Sequence, residues 1–422
     1  MKSGNRLSRR AQLAGGQPIS ELMARALAQP ELISLAAGFV DAETLPVEPT
    51  RTALEAMLCD GAAARAALQY GTTPGYPPLR EALLDRLQAA DGRPASERGL
   101  SLDQTIVTAG SNPLLHLVVE TLLDPRDIVL VSAPSYFVFL GMLGNMDLRA
   151  VGVASDAQGV IPAALEEELA RREGSGERDR VKAIYLCSYF DNPNTSTLPA
   201  DRRAEIVEIA QRWSRRGKIH VLEDIAYREL RYAGDDVPSM RAFDERGDTV
   251  IVAGTFSKSF SPGLRVGWGV LPPHLVGPVC SQKGNLDFGS PNFTQHLIAK
   301  VLEMGLYDEH VQRLRAAYRA KLRAMLDAAD EHLGPIDGAD WQVPEGGLYV
   351  WLKLPEDVDT GPDGQLFDLA LAEGMMYVPG QYFYPSEGVP AARNMIRLSF
   401  GVQSPENIAR GMAALARAVR SL

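Results

Sequence analysis

Short apolar segments alternate with longer helical segments through the middle of the chain. The apolar segments cover residues 106–109, 128–132, 183–186, 219–222 and 250–253. Helical segments, such as residues 114–123 and 200–215, separate them. Strands that alternate with helices form a mostly parallel sheet with helices on both faces. The pattern therefore predicts an α/β fold.

The chain length predicts more than one domain. A single hydrophobic core usually stops growing at about 250–300 residues, and this chain has 422 residues. A long charged helical segment, residues 308–332, follows the α/β region, and we expect it to lead into a smaller domain. The expected parts are an N-terminal arm that belongs to the small domain (residues 1–50), a large domain (51–305) and a small C-terminal α+β domain (306–422).

Two predicted elements and one loop precede the α/β region. Residues 18–28 have the pattern of an amphipathic helix, and residues 32–39 read as an apolar strand. Gly38, near the end of that strand, either lets a ligand approach the backbone or is an ordinary strand end. Residues 69–79 are rich in glycine and proline, so they form a loop, in which Tyr70 either touches a ligand or partner or only packs.

The composition, with 45% hydrophobic and 23% charged residues, is typical of a soluble globular protein. No apolar run approaches the roughly 20 residues that a membrane span needs. A formal net charge of −10 disfavours nucleic acids and anionic membranes as partners, because both attract basic surfaces. Cys59, Cys187 and Cys280 are widely scattered, so we expect no disulfide framework, no metal site and a reducing cytoplasm as the location.

One lysine lies among small hydroxylated residues directly after an apolar segment. Thr255 and Ser257 precede Lys258, and Arg265 follows it. Hydroxyl groups and a guanidinium group suit a phosphate dianion, and a desolvated lysine amine can form a Schiff base with a carbonyl. Lys258 by itself could equally be a solvated loop charge. Its neighbours favour a site for pyridoxal phosphate, which needs both an amine and a phosphate anchor.

Other polar and aromatic residues follow predicted strands. Gly110 and Ser111 form a strand–turn–helix junction, which either directs backbone N–H groups at a phosphate or is only a turn. Tyr136 follows the next strand, at the end of the sheet where ligands of open α/β folds bind. Asp224 is either a helix N-cap or the partner of a protonated pyridine nitrogen. Arg397, flanked by apolar residues, needs an anion, either a structural carboxylate or that of a substrate.

Taken in order, these motifs resemble those of the fold-type I pyridoxal-phosphate aminotransferases of class I and II, in particular the branch with α-aminoadipate and kynurenine aminotransferases. The resemblance extends from about Leu7 to the C-terminus. The segments that carry it are residues 33–38, 70–79, 110–111, 134–136, 192–193, 224–227, 258–265, 344–347 and Arg397. It implies a mostly parallel, seven-stranded sheet in the large domain, which binds the cofactor, and a smaller α+β domain.

The resemblance also implies roles around the cofactor. Lys258 would form the Schiff base and move protons at the substrate α-carbon. Asp224 would pair with the pyridine nitrogen, and Asn192 and Tyr227 would bind the phenolic oxygen. Tyr136 would stack on the ring. The implied phosphate-binding residues are Gly110, Ser111, Asn112, Thr255, Ser257 and Arg265.

Further implied roles concern the substrate and a second subunit. Arg397 would bind the substrate α-carboxylate, with Gly38 and Asn192 beside it. Tyr70 would reach the phosphate bound by the partner subunit, which implies a homodimer with shared active sites. The substrates would be an amino acid and a 2-oxo acid, with neither nucleic acid nor membrane as a partner.

The implied activity is the transfer of an amino group from an L-amino acid to a 2-oxo acid such as 2-oxoglutarate, in amino acid metabolism or biosynthesis. The donor would be aromatic, α-aminoadipate-like or broad. Relatives commonly have Asn-Pro-Thr-Gly where this chain has Asn192-Pro193-Asn194-Thr195, which leaves open a lyase, decarboxylase or oxidase on the same fold. A non-catalytic, regulator-type module is a third alternative, disfavoured by the acidic charge and the short segment before residue 33.

Overall fold

The computed structural model describes residues 7–16, 20, 22, 24, 28–29, 31–92 and 100–422. The helix predicted for residues 18–28 lies mostly outside the described residues. The helices are α1 (Arg9–Leu13), α2 (Val47–Cys59), α3 (Gly61–Leu68), α4 (Pro77–Ala90), α5 (Ser111–Leu122), α6 (Phe137–Asn145), α7 (Pro162–Gly174), α8 (Ala200–Trp213), α9 (Pro273–Asp287), α10 (Asn292–Glu303), α11 (Leu306–His332), α12 (Gln365–Ala372) and α13 (Pro405–Arg420). None of the helices within these ranges is long and apolar enough to cross a membrane.

The strands are short and distributed along the whole chain. They are β1 (Ile33–Ser34), β2 (Thr105–Thr108), β3 (Ile128–Ala133), β4 (Arg149–Asp156), β5 (Gly159–Val160), β6 (Val181–Cys187), β7 (His220–Asp224), β8 (Val250–Thr255), β9 (Gly267–Val270), β10 (Asp340–Trp341), β11 (Tyr349–Lys353), β12 (Met375–Met376), β13 (Val378–Pro379), β14 (Glu387–Gly388) and β15 (Met395–Ser399).

The main sheet is mostly parallel, as the sequence predicts. Its strand order is β14-β4-β3-β6-β7-β8-β9-β2, and β5 pairs with β4. In the described part of the chain, seven of these strands have four or more residues. The strand β9 runs antiparallel to both of its neighbours. The remaining long strands are parallel, so the carboxyl ends of β6, β7 and β8 lie at one edge of the sheet.

Helices cover both faces of this sheet because its strands are apolar on both sides. In β3, Val129 and Val131 belong to one hydrophobic core, whereas Ile128 and Leu130 belong to another. Successive strand residues point to opposite faces, which explains this division. Leu114 of α5 packs into the first core, and the helix α8 packs into the second. The predicted α/β architecture is confirmed.

A second, smaller sheet is built from the C-terminal third of the chain. Its order is β10-β11-β15-β13, and its pairs are antiparallel. The strand β1 joins the same region, because Ile33 and Ser34 pair in parallel with Met375 and Met376 of β12. The predicted boundaries at residues 50 and 305 stay a prediction.

The strand predicted over residues 32–39 is wrong for most of its length, because β1 ends at Ser34. Leu35 still bonds to the backbone of Met376 and Ser399, but the carbonyls of Ala36 and Gly38 accept hydrogen bonds from side chains of distant segments. Arg397 Nη2 donates to the Ala36 carbonyl at 2.8 Å, and Lys258 Nζ donates to the Gly38 carbonyl at 2.7 Å. This segment therefore crosses the candidate site instead of extending a sheet.

Candidate active site

A cavity of about 240 Å³ lies at the carboxyl ends of β6, β7 and β8. It brings together ten residues that the sequence predicts for the site, from five separate segments of the chain. These residues are Ser111, Asn112, Tyr136, Asn192, Asp224, Tyr227, Thr255, Ser257, Lys258 and Arg265. Gly38 and Arg397 lie beside them, bonded to Lys258 and Asn192, respectively.

Lys258 follows β8 on the loop that leads to β9. Burial lowers the pKa of its amine, and the positive charges of Arg397 and Arg265 lower it further. The neighbouring Tyr349 and Asp224 act in the opposite direction. The net effect favours a neutral amine, which is the form of lysine that attacks a carbonyl.

Asp224 ends β7 and is 5% exposed. Its carboxylate accepts hydrogen bonds from the Tyr185 hydroxyl at 3.1 Å and from the Ala226 N–H at 3.0 Å. Burial raises its pKa to about 6, although these hydrogen bonds oppose the shift. Both donors are neutral, so a positively charged ring nitrogen placed here would compensate the charge of the carboxylate.

The other end of the cavity is suited to a phosphate group. The helix α5 begins at Ser111, so the unpaired N–H groups of its first turn and its dipole attract an anion. Arg265 Nη1 lies 3.4 Å from Ser257 Oγ, which accepts a hydrogen bond from Thr255 at 3.0 Å. A Cβ atom on Gly110 would lie 2.6 Å from Arg265 Nη2, so only glycine leaves room for the guanidinium at this turn.

Arg397 lies in β15 and is 2% exposed. Its Nη1 donates to Asn192 Oδ1 at 2.8 Å and its Nη2 to the Ala36 carbonyl at 2.8 Å. Within the described residues its buried Nε has no hydrogen-bond partner. The acceptors are neutral, so this buried cation still needs an anion, and a substrate carboxylate would provide one.

The tyrosines of the site differ in position. Burial raises the pKa of Tyr136 to about 12, although a hydrogen bond to Asn112 opposes the shift. The Tyr227 and Tyr349 hydroxyls lie 3.1 Å apart. Tyr70, in contrast, is 81% exposed and contacts Phe288 edge-on at 5.6 Å, away from the cavity lining.

Sequence reasoning assigned no role to four residues that the structure places at the site. Tyr185 and Cys187 of β6 line the cavity, as does Phe39, and Tyr349 touches Tyr227. For Tyr185 and Cys187 the available signal was their alternation at the carboxyl end of a predicted strand. For Tyr349 it was only an aromatic residue after a Gly-Gly turn.

The residues fit pyridoxal phosphate. A cavity that holds a buried amine, a carboxylate with neutral donors and a cationic turn at a helix N-terminus matches the cofactor's aldehyde, ring nitrogen and phosphate. These groups define the class of protein as an enzyme that uses this cofactor.

Comparison with known proteins gives the family. Residues 30–415 match the family described as aminotransferase class I and II. The chain is 35% identical to aromatic-amino-acid aminotransferase 1 of Thermococcus litoralis, over 92% of this chain and 88% of that one. It is 32% identical to the 2-aminoadipate transaminase of Thermus thermophilus, over 93% and 91% of the two chains. The solved structure of Pyrococcus horikoshii kynurenine aminotransferase in complex with PMP has a TM-score of 0.88 and 32% identity, over 98% and 97%.

The chain belongs to the class I and II aminotransferases. It is a transaminase of fold type I whose cofactor is pyridoxal phosphate. The family, fold class, cofactor and enzyme class predicted from the sequence are confirmed.

Proposed function

We propose that this aminotransferase takes the amino group of an aromatic L-amino acid and transfers it to a 2-oxo acid such as 2-oxoglutarate. The observation that carries the proposal is the buried Arg397, which has only neutral hydrogen-bond acceptors, next to a cavity lined by aromatic residues. Phe39 lines the cavity and is 52% exposed, so it offers apolar surface to a substrate side chain. Aromatic amino acids and kynurenine appear in the names of two relatives.

An acidic donor such as 2-aminoadipate would need a further cation for its second carboxylate. In the described part of the chain, the cations lining the cavity are Lys258 and Arg265, and both have proposed roles toward the cofactor. This arrangement favours an apolar side chain over an acidic one. The acceptor would bind through its 1-carboxylate to Arg397.

Each part of the proposed reaction is assigned to residues of this chain. When bound, the cofactor supplies a carbonyl for the amino group and a ring that delocalises the electron pair left at the substrate α-carbon. Arg397 binds the substrate carboxylate and orients that α-carbon. Lys258 Nζ, whose pKa burial lowers, removes the α-proton and returns it. Asp224 holds positive charge at the ring nitrogen, and Asn192 and Tyr227 hydrogen-bond to the phenolic oxygen.

The phosphate would be held by the N-terminus of α5 and by the cationic turn. Its proposed ligands are Gly110, Ser111, Asn112, Thr255, Ser257 and Arg265, while Tyr136 covers the ring. Bound here, the phosphate would fix the position of the ring relative to Lys258.

We also propose a homodimer in which Tyr70 reaches the partner's phosphate site. Tyr70, 81% exposed, contacts Phe288, which is 63% exposed. Two residues close to them in the sequence, Leu68 and Leu286, are 71% and 64% exposed. Large exposed apolar residues grouped in this way are typical of a protein interface.

The proposed location is the cytoplasm, the proposed role is in amino acid metabolism or biosynthesis, and the proposed domains are residues 51–305 and residues 1–50 with 306–422.

A screen of amino donors tests the function. The cofactor-loaded enzyme is mixed with 2-oxoglutarate and single L-amino acids, and glutamate formation is measured. We expect phenylalanine, tyrosine or kynurenine to give the highest kcat/KM. A preference for 2-aminoadipate would contradict the aromatic assignment, and release of ammonia or carbon dioxide without glutamate would contradict transamination.

A further inference from the structure

Tyr349 lies where three parts of the site meet. It begins β11 and is 2% exposed. Its hydroxyl lies 3.1 Å from the Tyr227 hydroxyl, which comes from the loop after β7. Two buried hydroxyls at this distance share one hydrogen bond, in which one oxygen donates and the other accepts.

The ring of Tyr349 packs against the guanidinium of Arg397, with the Cζ atom 4.2 Å from the ring centroid. The sheet register explains this contact. Tyr349 pairs with Ser399 and Trp351 pairs with Arg397, so Tyr349 and Arg397 are diagonal neighbours on the same face of the antiparallel pair. A cation held over a buried aromatic face is attracted to it and kept in one orientation.

The hydroxyl of Tyr349 also packs against the backbone at Gly38. A Cβ atom on Gly38 would lie 2.5 Å from that hydroxyl, so a larger residue would displace it. The carbonyl of the same glycine accepts the hydrogen bond from Lys258 Nζ. One side chain therefore contacts the backbone that holds Lys258, the hydroxyl of Tyr227 and the guanidinium of Arg397.

We propose that Tyr349 is a positioning residue, whose hydroxyl directs the proton of Tyr227 toward the cofactor and whose ring orients Arg397 toward the substrate carboxylate. The proposal rests on the roles given above to Tyr227, Lys258 and Arg397. If Tyr227 donates to the cofactor's phenolic oxygen, its own oxygen is free to accept the hydrogen bond from Tyr349. Hydrogen bonds in such a chain strengthen one another in a buried site, so Tyr349 makes Tyr227 a better donor.

This arrangement predicts a spectroscopic effect. A stronger donor stabilises negative charge on the phenolic oxygen, so it favours loss of the proton shared between that oxygen and the lysine–cofactor linkage. Removing the Tyr349 hydroxyl should therefore raise the pKa of this linkage. Among the described residues, the other titratable and charged groups that interact most strongly with Tyr349, Tyr227 or Lys258 are Tyr136, Cys187, Asp224, Arg265, Tyr318 and Arg397.

The hydroxyl is tested with Tyr349→Phe in the cofactor-loaded enzyme. The absorbance of the lysine–cofactor linkage is titrated with pH, and the midpoint should rise by about 0.5–1 unit, which is the effect of one hydrogen bond of ordinary strength. Tyr377→Phe is the matched control, because Tyr377 is equally buried but its hydroxyl donates to the Thr360 carbonyl at 3.1 Å. A midpoint for Tyr349→Phe equal to those of Tyr377→Phe and the wild type would overturn the role of the hydroxyl.

The role of the Tyr349 ring in orienting Arg397 is tested with 3-phenylpropionate, a carboxylate that lacks the reacting amine. Its dissociation constant is measured by calorimetry on the loaded enzyme. We expect Tyr349→Phe to bind it as the wild type does, and Tyr349→Leu to bind it about 5–30-fold more weakly, since the contact between ring and cation is lost. Equal affinities for Tyr349→Leu and Tyr349→Phe would overturn the role of the ring. Should Tyr349→Leu not fold, Tyr349→Met takes its place.

The wild type distinguishes failure of this inference from failure of the proposed function. If the wild type shows neither a titrating absorbance band nor binding of 3-phenylpropionate, the roles of Lys258 and Arg397 are wrong and the inference falls with them. If the wild type shows both and Tyr349→Phe behaves identically in the titration, only the positioning role is wrong.

Discussion

Replacing Arg397 with glutamine distinguishes a ligand-binding arginine from a structural one. Arg397 is 2% exposed, and its two terminal nitrogens donate to neutral oxygens of Asn192 and Ala36. Its Nε is unpaired within the described ranges. Because these acceptors carry no charge, the guanidinium retains its full positive charge for a substrate carboxylate.

The expected loss of activity in Arg397→Gln follows from the number of hydrogen bonds between the guanidinium and the substrate carboxylate. A guanidinium can donate two hydrogen bonds to one carboxylate, and each hydrogen bond to a charged group contributes about 1.5–3 kcal/mol. Arg397→Gln should therefore lose about 3–6 kcal/mol of transition-state stabilisation, which lowers kcat/KM by about 10²–10⁴-fold. Stability should change less, because removal of a buried cation without a carboxylate partner recovers desolvation energy that offsets the lost bonds to Asn192 and Ala36.

Arg203 is the matched control, since it is fully buried but paired with Glu223 at 3.4 Å. It also donates to the backbone carbonyls of Leu198 and Ser188. Loss of one partner from a buried ion pair costs about 3–5 kcal/mol. Arg203→Gln should therefore lower the free energy of unfolding strongly, while the folded enzyme keeps its KM.

Steady-state kinetics with one amino donor and 2-oxoglutarate measure the loss of kcat/KM. Denaturation by urea measures the change in the free energy of unfolding. The expected pattern is a large loss of kcat/KM with little loss of stability for Arg397→Gln, and the reverse for Arg203→Gln. The reasoning is refuted if Arg397→Gln keeps the kcat/KM of the wild type, or if it is destabilised as strongly as Arg203→Gln.

Three further predictions concern the cofactor. Lys258→Ala should abolish turnover and the absorbance of the lysine–cofactor linkage, whereas Lys300→Ala, at a lysine paired with Glu303, should retain both. Burial raises the pKa of Asp224 from 3.8 to about 6, so ionisation of this carboxyl costs the cofactor-free fold stability as pH rises from about 4 to about 6, and the stability of Asp224→Asn relative to the wild type should increase over that range. The variant should be the more stable at pH 8 but not at pH 4, and equal denaturation midpoints at pH 8 would contradict this. Tyr70→Phe should weaken pyridoxal phosphate binding about tenfold or more, the effect of one hydrogen bond to a charged phosphate, with the dimer intact by light scattering. Unchanged affinity would exclude a bond across the subunits.

The central sheet could be predicted from the sequence because its signals are local. The strands β2, β3 and β6 are short apolar segments that are each followed by a helix, and residues 250–253 were correctly taken as the strand before the lysine. The antiparallel direction of β9 and the addition of the short β14 beside β4 depend on pairing between distant segments. Neither has a signature in the local sequence.

The same distinction explains which site residues were found. Asp224 and Tyr136 lie at the ends of strands, where α/β sheets bind ligands. Tyr349 was missed because its importance depends on contacts with Tyr227 and Arg397, which lie 122 and 48 positions away in the chain. Residues 32–39 were taken as a strand because apolar composition does not reveal that side chains, instead of a neighbouring strand, bind the carbonyls of Ala36 and Gly38.

The charges of the site argue for one arrangement of ligands. The chain carries a net charge of −10, but the site is rich in positive charge. Among the titratable groups that act most strongly on Lys258 are two cations, Arg265 and Arg397, and one carboxylate, that of Asp224. The hydrogen-bond acceptors of both arginines are neutral. A phosphate at Arg265 and a carboxylate at Arg397 neutralise different cations, and a protonated ring nitrogen neutralises Asp224. A substrate without a carboxylate would leave Arg397 buried and unpaired, so the enzyme should discriminate against simple amines by the cost of that unpaired charge.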